Sequence, residues 1–426
     1  MRYIILILLG FLSFSVNAQE NLSLEDAIAK GLKNNYSVVS IMKQQNISEL
    51  NNSWGKAGAL PTLDFSGSYR YAMDDDKVEK SNTSTLRAGV DLKWVVFSGF
   101  AISINKHKLA ALNDLSKGNA AIVIENTIQA TILAYYKAVL EDKKLDVSKT
   151  LYELSKDRYD KMELEKEFGS KGTYQLLQAK NSFLQDKSNF LLQKSVYNNS
   201  LRNLNLLMGE SSEKRYRLSS MFSPVSNDYK LSNLLDKMTS SNNVLKNQYI
   251  SLQMNEMDIR LAKSSYYPTL SLNAGGSYLD SSVDYEKRGV MDRENTNMAA
   301  SLNLTYRLYD GGNKRRAVRV AKLQQEIGDL AKEEMILKLS NELASSLEMY
   351  NVRKEMYILA EENLKAAELN LQISEEKFKT GAINSFNYRD IQILYMNVAV
   401  ARLNSIYNLI GANTTLIKLT GGLIGE

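Results

Sequence analysis

Four stretches of the chain alternate apolar and polar residues with a period of two, the pattern of a strand with one apolar face. In the first, Leu63, Phe65, Gly67, Tyr69 and Tyr71 share a face against Thr62, Asp64, Ser66, Ser68 and Arg70. In the second, Leu86, Ala88, Val90, Leu92, Trp94 and Val96 oppose Arg87, Gly89, Asp91 and Lys93. Leu270, Leu272, Ala274 and Tyr278 form the third apolar set, and Met298, Ala300, Leu302, Leu304, Tyr306 and Leu308 the fourth. Strands are predicted at about 62–72, 84–97, 268–280 and 296–309. Runs of this length suit tilted strands crossing a bilayer, which need about 9–11 residues. A half-buried soluble sheet is the rival reading. Tyr71 and Tyr278 before the hairpin loops, and Trp94, Phe97, Tyr306 and Tyr309 at the far ends, are placed as lipid-interface aromatics would be. The hairpin loops, Met73–Thr83 and Ser281–Thr296, are polar, and Asp74-Asp75-Asp76 reads as a solvated tip without the spacing of a calcium loop.

Between these runs the pattern is helical. Segments 22–59 and 231–266 open each half, with Ser23 and the acids behind it as an N-terminal signal, and each stops at a proline. Residues 100–168 and 313–380 contain one interior glycine each, Gly118 and Gly328, and no proline, so each predicts one helix of about 100 Å at about 1.5 Å per residue. Val320, Leu323, Ile327 and Leu330 are spaced as a coiled-coil seam. Helices at 173–208 and 385–419 return from turns at Gly169 and Gly381. A dimeric rod explains the helices but not the hairpins that feed them.

The two halves repeat. Phe97-Ser98-Gly99-Phe100 lies 212 positions before Tyr309-Asp310-Gly311-Gly312, and the same step carries Trp94 onto Tyr306, Gly169 onto Gly381 and Gly209 onto Gly421. Leu60-Pro61-Thr62-Leu63 and Tyr267-Pro268-Thr269-Leu270 correspond at a step of 207. The fold class is mainly α with a membrane β-barrel portion, built from a duplicated helix, β-hairpin, long helix, helix unit. The domain reading is 1–18 a signal peptide, 19–210 the first repeat, 211–230 an equatorial linker and 231–426 the second repeat. The leader rests on Arg2, the apolar run Ile4–Leu12 and the small-residue site Val16-Asn17-Ala18, so the mature chain is expected to start at Gln19.

Composition removes most chemistry. Among 426 residues there is no Cys, and His107 is the single histidine, expected as an exposed helix residue, so thiolate and His-rich metal sites are excluded. No phosphate-binding loop is present, so no enzyme activity, metal or cofactor is expected. The net charge of +5 comes from interspersed signs rather than a basic stripe, which sets nucleic acid aside. The exception is Lys314, Arg315, Arg316 and Arg319, readable as a lipid-phosphate partner or as a solvated helix start. Four strands cannot close a membrane barrel, so several chains must share one.

In this order and spacing, Leu-Pro-Thr-Leu (60–63), Phe-Ser-Gly-Phe, Tyr-Asp-Gly-Gly and Lys377-Phe378-Lys379-Thr380-Gly381 resemble the TolC-like outer-membrane efflux proteins over essentially the whole mature chain. The resemblance implies a homotrimer in which four strands per chain make one twelve-stranded barrel, continuous with a periplasmic α-helical coiled-coil tunnel. It implies an outer-membrane exit duct of a Gram-negative bacterium. The partners it implies are outer-membrane lipid, a periplasmic adaptor and an inner-membrane pump. Lys166, Gly169, Gly172, Phe378, Lys379, Gly381 and Ile383 fall at the adaptor-docking tips. The chain departs from the family pattern where an acid is expected six positions after each tip glycine: Gln175 and Asn387 stand there. Nine after Gly381 is Asp390, so the periplasmic aperture would carry one carboxylate ring and an amide ring from Asn387. The alternatives are a duct for secreted polypeptides and, in another class, a periplasmic coiled-coil adaptor or scaffold.

Overall fold

The computed structural model describes residues 20–75, 79–168, 172–224 and 227–424. The expected signal peptide, Gln19, Asp76 and the tip residue Gly169 lie outside the described residues. The protein is mainly helical with an antiparallel sheet, and it forms two compact units. Of the described residues, one draws on those within 20–39, 124–234 and 343–424, the other on those within 40–123 and 235–342.

Each opening helix is two helices. α1 (Leu24–Asn34) starts at a capping box in which the Ser23 hydroxyl accepts from the Asp26 amide at 3.1 Å and Asp26 reaches back to the Ser23 amide. Asn35 ends it with extended backbone, and its side-chain carbonyl accepts from the Ser37 amide at 2.9 Å, starting α2 (Tyr36–Asn51). Asn242 does the same between α5 (Leu231–Ser241) and α6 (Asn243–Ser264), accepting from the Leu245 amide at 3.0 Å. An asparagine whose side chain replaces a backbone acceptor breaks a helix without glycine or proline, which is why the periodicity runs through both joints. The helices between and after are α3 (Ala101–Glu167), α4 (Thr173–Leu207), α7 (Asn313–Lys379) and α8 (Ser385–Leu419). α3 and α7 are each 67 residues long, and α4 and α8 are each 35.

In the first unit, β1 (Glu20–Leu22) pairs in parallel with β4 (Tyr216–Leu218). Three residues are too few to show a period, and β4 falls within the stretch expected as a linker. Leu22, Tyr135, Leu204, Met208 and Tyr216 form a core beside this pair. The buried Tyr135 hydroxyl donates to the Leu22 carbonyl at 2.8 Å and accepts from the Ser219 and Ser220 amides.

The second unit holds β2 (Thr62–Asp75), β3 (Lys80–Ser98), β5 (Thr269–Tyr285) and β6 (Gly289–Thr305), antiparallel in the order β2-β3-β5-β6. The hairpin strands outrun the expected loops because the ladder continues through Ser81, Asn82 and Thr83 and through Ser281, Ser282 and Val283. Backbone pairing needs no apolar side chain, so the period fades before the strand ends. β6 stops at Thr305, leaving Tyr306 and Tyr309 beyond it.

The single interior glycine of each long helix faces α6. A Cβ at Gly118 would overlap the Asn247 amide, and one at Gly328 would lie 2.6 Å from Asn255 Nδ2 and 2.9 Å from a Leu252 methyl. At Gly99 (φ 64°) a Cβ would run into the Ser264 carbonyl and approach Tyr267 Cβ to 2.9 Å. Gly99→Ala therefore meets left-handed backbone, costing about 1–2 kcal/mol, and an immovable main-chain clash as well. A lowered thermal midpoint for this variant, with Gly58→Ala lowered less because nothing lies within 4 Å of that Cβ, is the expected result.

Candidate functional site: an amphipathic sheet and two helical turns

The register lines up the apolar positions of all four strands. Phe65 pairs with Val90, Val90 with Gly276 and Gly276 with Met298; Leu63, Leu92, Ala274 and Ala300 form the next row. On the outer strands β2 and β6 this face is uncovered among the described residues: Phe65 is 77% exposed, Met298 83% and Leu302 65%. From Leu270 to Tyr278 the apolar rows run about 27 Å along β5 at about 3.4 Å per residue, comparable with the apolar band of about 25 Å in membrane barrels.

Tyr278 stands near one limit of these rows, opposite Ala88 and Thr296; its row meets β2 at Gly67, and Tyr71, opposite Ser84, lies four residues further along that strand. At the other limit β3 carries an irregularity between Val95 and Phe97. Simple alternation puts Val96 on the apolar face and Phe97 off it. The extra residue moves Phe97 into the row of Leu270 and Leu304 instead, which is what a bulge does. Phe97 then meets Phe100 edge-to-face at 5.3 Å, and Phe100 meets Tyr267 at 5.7 Å. Trp94, opposite Leu272, donates its indole N–H to the Ala59 carbonyl at 2.9 Å. Tyr306 and Tyr309 are exposed beyond β6, Tyr309 at 86%.

The opposite face is polar. Lys93, Asn273 and Ser301 make one row, Asp64 and Asp91 begin the next, and Lys93 lies 3.9 Å from Asp64. A shallow concavity of about 330 Å³ on this face is lined by Asp91, Lys93, Asn273, Ser277, Asn297 and Ser301.

The helical turns belong to the other unit. Between α7 and α8, Gly381 donates to the Phe378 carbonyl at 3.1 Å, while Ala382 and Ile383 both donate to the Lys377 carbonyl. Asn384 caps α8 by accepting from the Phe386 and Asn387 amides at 3.0 and 2.9 Å. Phe378 stacks on Tyr388, centroids 5.0 Å apart and planes within 8°. Lys379 is held by Glu375 and Glu376 at 2.9 and 3.2 Å. At the other turn Gly172 begins α4, its amide donating to the Gln175 side chain at 2.9 Å, and Lys166 lies in the last turn of α3.

A cavity of about 660 Å³ lies beside these turns, lined by Arg158, Lys161, Glu165, Gln175, Ile383 and Phe386 among others. Arg158 closes it by donating to the Ser385 carbonyl at 3.0 Å. Burial and then the charge of Arg389 hold the Arg158 guanidinium below the usual arginine value, with Asp186 and Asp390 opposing them. Arg389 itself is buried in an ion pair with Asp186, and its Nε and Nη1 have no hydrogen-bond partner among the described residues. Asn387 and Asp390, one helical turn apart on α8, are both exposed. Sequence reading did not find Arg158, Asp186 or Arg389. The ion-paired residues are 203 positions apart, and no local pattern connects them.

Solved structures share this fold. The outer membrane channel CmeC of Campylobacter jejuni is similar with TM-score 0.74 at 18% identity, over 94% of this chain and 85% of that one. VceC, an outer membrane protein of Vibrio cholerae, gives 0.71 at 12%, over 94% and 96%. The open-state MtrE outer membrane channel of Neisseria gonorrhoeae gives 0.72 at 15%, over 94% and 89%. Residues 234–422 match the family model described as outer membrane efflux protein.

Over residues 234–422 the chain is similar to the outer membrane efflux proteins.

The outer membrane efflux match takes in α5 from Leu234 on, α6 to α8, β5, β6 and the Gly381 turn, so Asn387, Asp390 and Phe378 lie inside it. The first half is connected to these channels through its fold. Comparison with curated proteins finds no match. The family matched is one of transport proteins, not a catalytic one. Among the described residues no helix is long and apolar enough to cross a membrane, and no cluster of metal-ligating side chains occurs. His107 sits exposed on α3, its Nδ1 2.8 Å from the Ser103 carbonyl.

Proposed function

We propose that this protein is the outer-membrane exit duct of a tripartite efflux pump, passing small molecules outward from an inner-membrane transporter through a periplasmic adaptor. The observation that carries the reading is the sheet. It has bilayer-length strands, an uncovered apolar face, a polar face behind it, and two outer strands, β2 and β6, each paired on one side only among the described residues. Lipid cannot satisfy open backbone edges, so such a sheet reaches a stable state by joining others. Three copies, joined β6 to β2, make a twelve-stranded barrel with the Lys93, Asn273 and Ser301 face inward.

The duplication is supported by element positions: Ala101 and Asn313 begin the 67-residue helices, and Thr173 and Ser385 the 35-residue ones, each pair 212 positions apart. The helix-breaking asparagines, Asn35 and Asn242, are separated by 207, the step of the opening segments. The two turns dock the adaptor, with Lys166, Gly169, Gly172, Phe378, Lys379, Gly381 and Ile383 at or beside the contact. In the trimer Asn387 and Asp390 supply an amide ring and a carboxylate ring to a periplasmic aperture. A ring of like charges at close quarters recruits cations.

Cross-linking of the detergent-extracted protein, followed by planar-bilayer recording of wild type and Asp390→Ala, tests this. A trimer whose cation-selective conductance falls in selectivity when Asp390 is removed is expected. A trimeric channel indifferent to Asp390 would keep the duct and remove that residue from the aperture. A water-soluble, non-conducting dimer would overturn the reading in favour of a coiled-coil scaffold.

A further inference from the structure

The two long helices begin in equivalent ways after their strands but carry different chemistry in their first two turns. Positions two, three, four and seven of α3 are Ile102, Ser103, Ile104 and His107; in α7 they are Lys314, Arg315, Arg316 and Arg319. The repeat therefore does not carry cations at these four positions in both halves. Helix N-termini carry partial positive charge, so four basic residues with no acid in the first turn oppose the dipole.

Among the described residues none of these four side chains is in a salt bridge. Asp310 lies close by and is engaged by the Lys314 amide at 2.8 Å, which helps hold its carboxyl below the usual range. Lys314 reaches the Arg307 carbonyl at 2.8 Å and lies 5.5 Å from the Tyr306 ring centre, while Arg316 donates to the Gly311 carbonyl at 3.0 Å and to the Asn313 side chain. Arg315 and Arg319 are exposed, and among the described residues neither meets a carboxylate in a salt bridge. The basic residues of α3 contrast with them: Lys106 donates to Asn52 at 2.6 Å, and Lys108 is ion-paired to Asp258.

Directly before the cations come Tyr306, Leu308 and Tyr309, all exposed, where the apolar rows of the sheet end. An apolar and aromatic rim followed at once by cations that, among the described residues, form no salt bridge is complementary to the boundary of a lipid leaflet, acyl chain first and phosphate next.

We infer that Lys314, Arg315, Arg316 and Arg319, with Tyr306 and Tyr309, form a binding surface for the headgroup of an anionic lipid. The inference rests on the membrane placement of the sheet proposed above, and it adds a preference for negative headgroups to that placement.

The test uses the full-length protein and the variant Arg315→Gln/Arg316→Gln/Arg319→Gln. Native mass spectrometry counts lipid retained by the extracted oligomer after exposure to phosphatidylglycerol or phosphatidylcholine. Insertion into vesicles of phosphatidylcholine, with and without phosphatidylglycerol, is measured in parallel. The expected result is preferential retention of phosphatidylglycerol by wild type, reduced on the order of fivefold for each cation removed, with oligomer mass and insertion into phosphatidylcholine unchanged. Equal retention by wild type and variant would overturn it. Displacement of the lipid by millimolar inorganic phosphate, beyond matched chloride, would overturn it in favour of a soluble anion. Loss of the oligomer in the variant would assign the cations to a contact between copies instead. Failure of wild type to enter either vesicle would refute the membrane placement itself, an outcome distinct from failure of the headgroup preference.

Discussion

Replacing Leu302 by Arg should abolish assembly into the membrane, while Ser301→Arg, one residue away, should assemble normally. Leu302 stands opposite Leu272 on the apolar face, and Ser301 stands opposite Asn273 on the polar one. In a lipid-facing position an Arg near the bilayer midplane costs about 2–4 kcal/mol. Threefold symmetry would apply that cost three times per barrel, enough to empty the assembled state. On the polar face the same side chain enters water beside Lys93 and Asn273, where its cost is that of an ordinary surface change. Val90→Arg, on the row of Phe65 and Met298, should repeat the Leu302 result. Membrane fractionation and the trimer band in mild detergent read both outcomes. Similar behaviour of the Leu302 and Ser301 variants would mean that the sheet does not present this face to lipid.

The second large effect concerns Arg389 and Asp186. Both are buried, so truncating either leaves an uncompensated charge in the helical unit, a loss of about 3–5 kcal/mol. Arg389→Met and Asp186→Leu should each lower the thermal midpoint strongly. The double variant should recover much of the loss, since a buried pair replaced by apolar side chains of similar volume is often neutral. The unpartnered Nε and Nη1 of Arg389 strengthen that expectation, because removing them relieves two unsatisfied donors. Additive losses in the double variant would show that the two side chains are not coupled.

The sheet was legible because one apolar face imposes a period of two. Leu63, Phe65, Val90, Leu92 and Met298 are found in the rows that their spacing implies. The long helices were legible for the opposite reason, the near-absence of glycine and proline across 67 residues each. What escaped has no periodic signature. Asn35 and Asn242 break helices through side-chain hydrogen bonds while the apolar pattern continues past them. The irregularity that moves Phe97 onto the apolar face is one residue long. β1 and β4 are three residues each and recognise one another across nearly the whole first half. At the turns, Gly381 and Phe378 could be located by motif. The ion pair behind them, from α4 to α8, is a fact of tertiary packing alone.

The notches at Gly118 and Gly328 determine something that apolar seams leave open. Apolar residues repeated at heptad spacing look nearly the same one heptad further on, so long helices packed by such residues alone have many alignments of similar energy. Asn247 occupies the first notch and donates to the Asn119 side chain at 2.8 Å; Asn255 and Leu252 occupy the second, where Gln248 also reaches the Gly328 carbonyl at 3.3 Å. Sliding α6 by one heptad along either helix would drive an amide against a side-chain-bearing turn and strand its hydrogen bonds. Two missing methyl groups thus act as a vernier, selecting a single axial alignment among many.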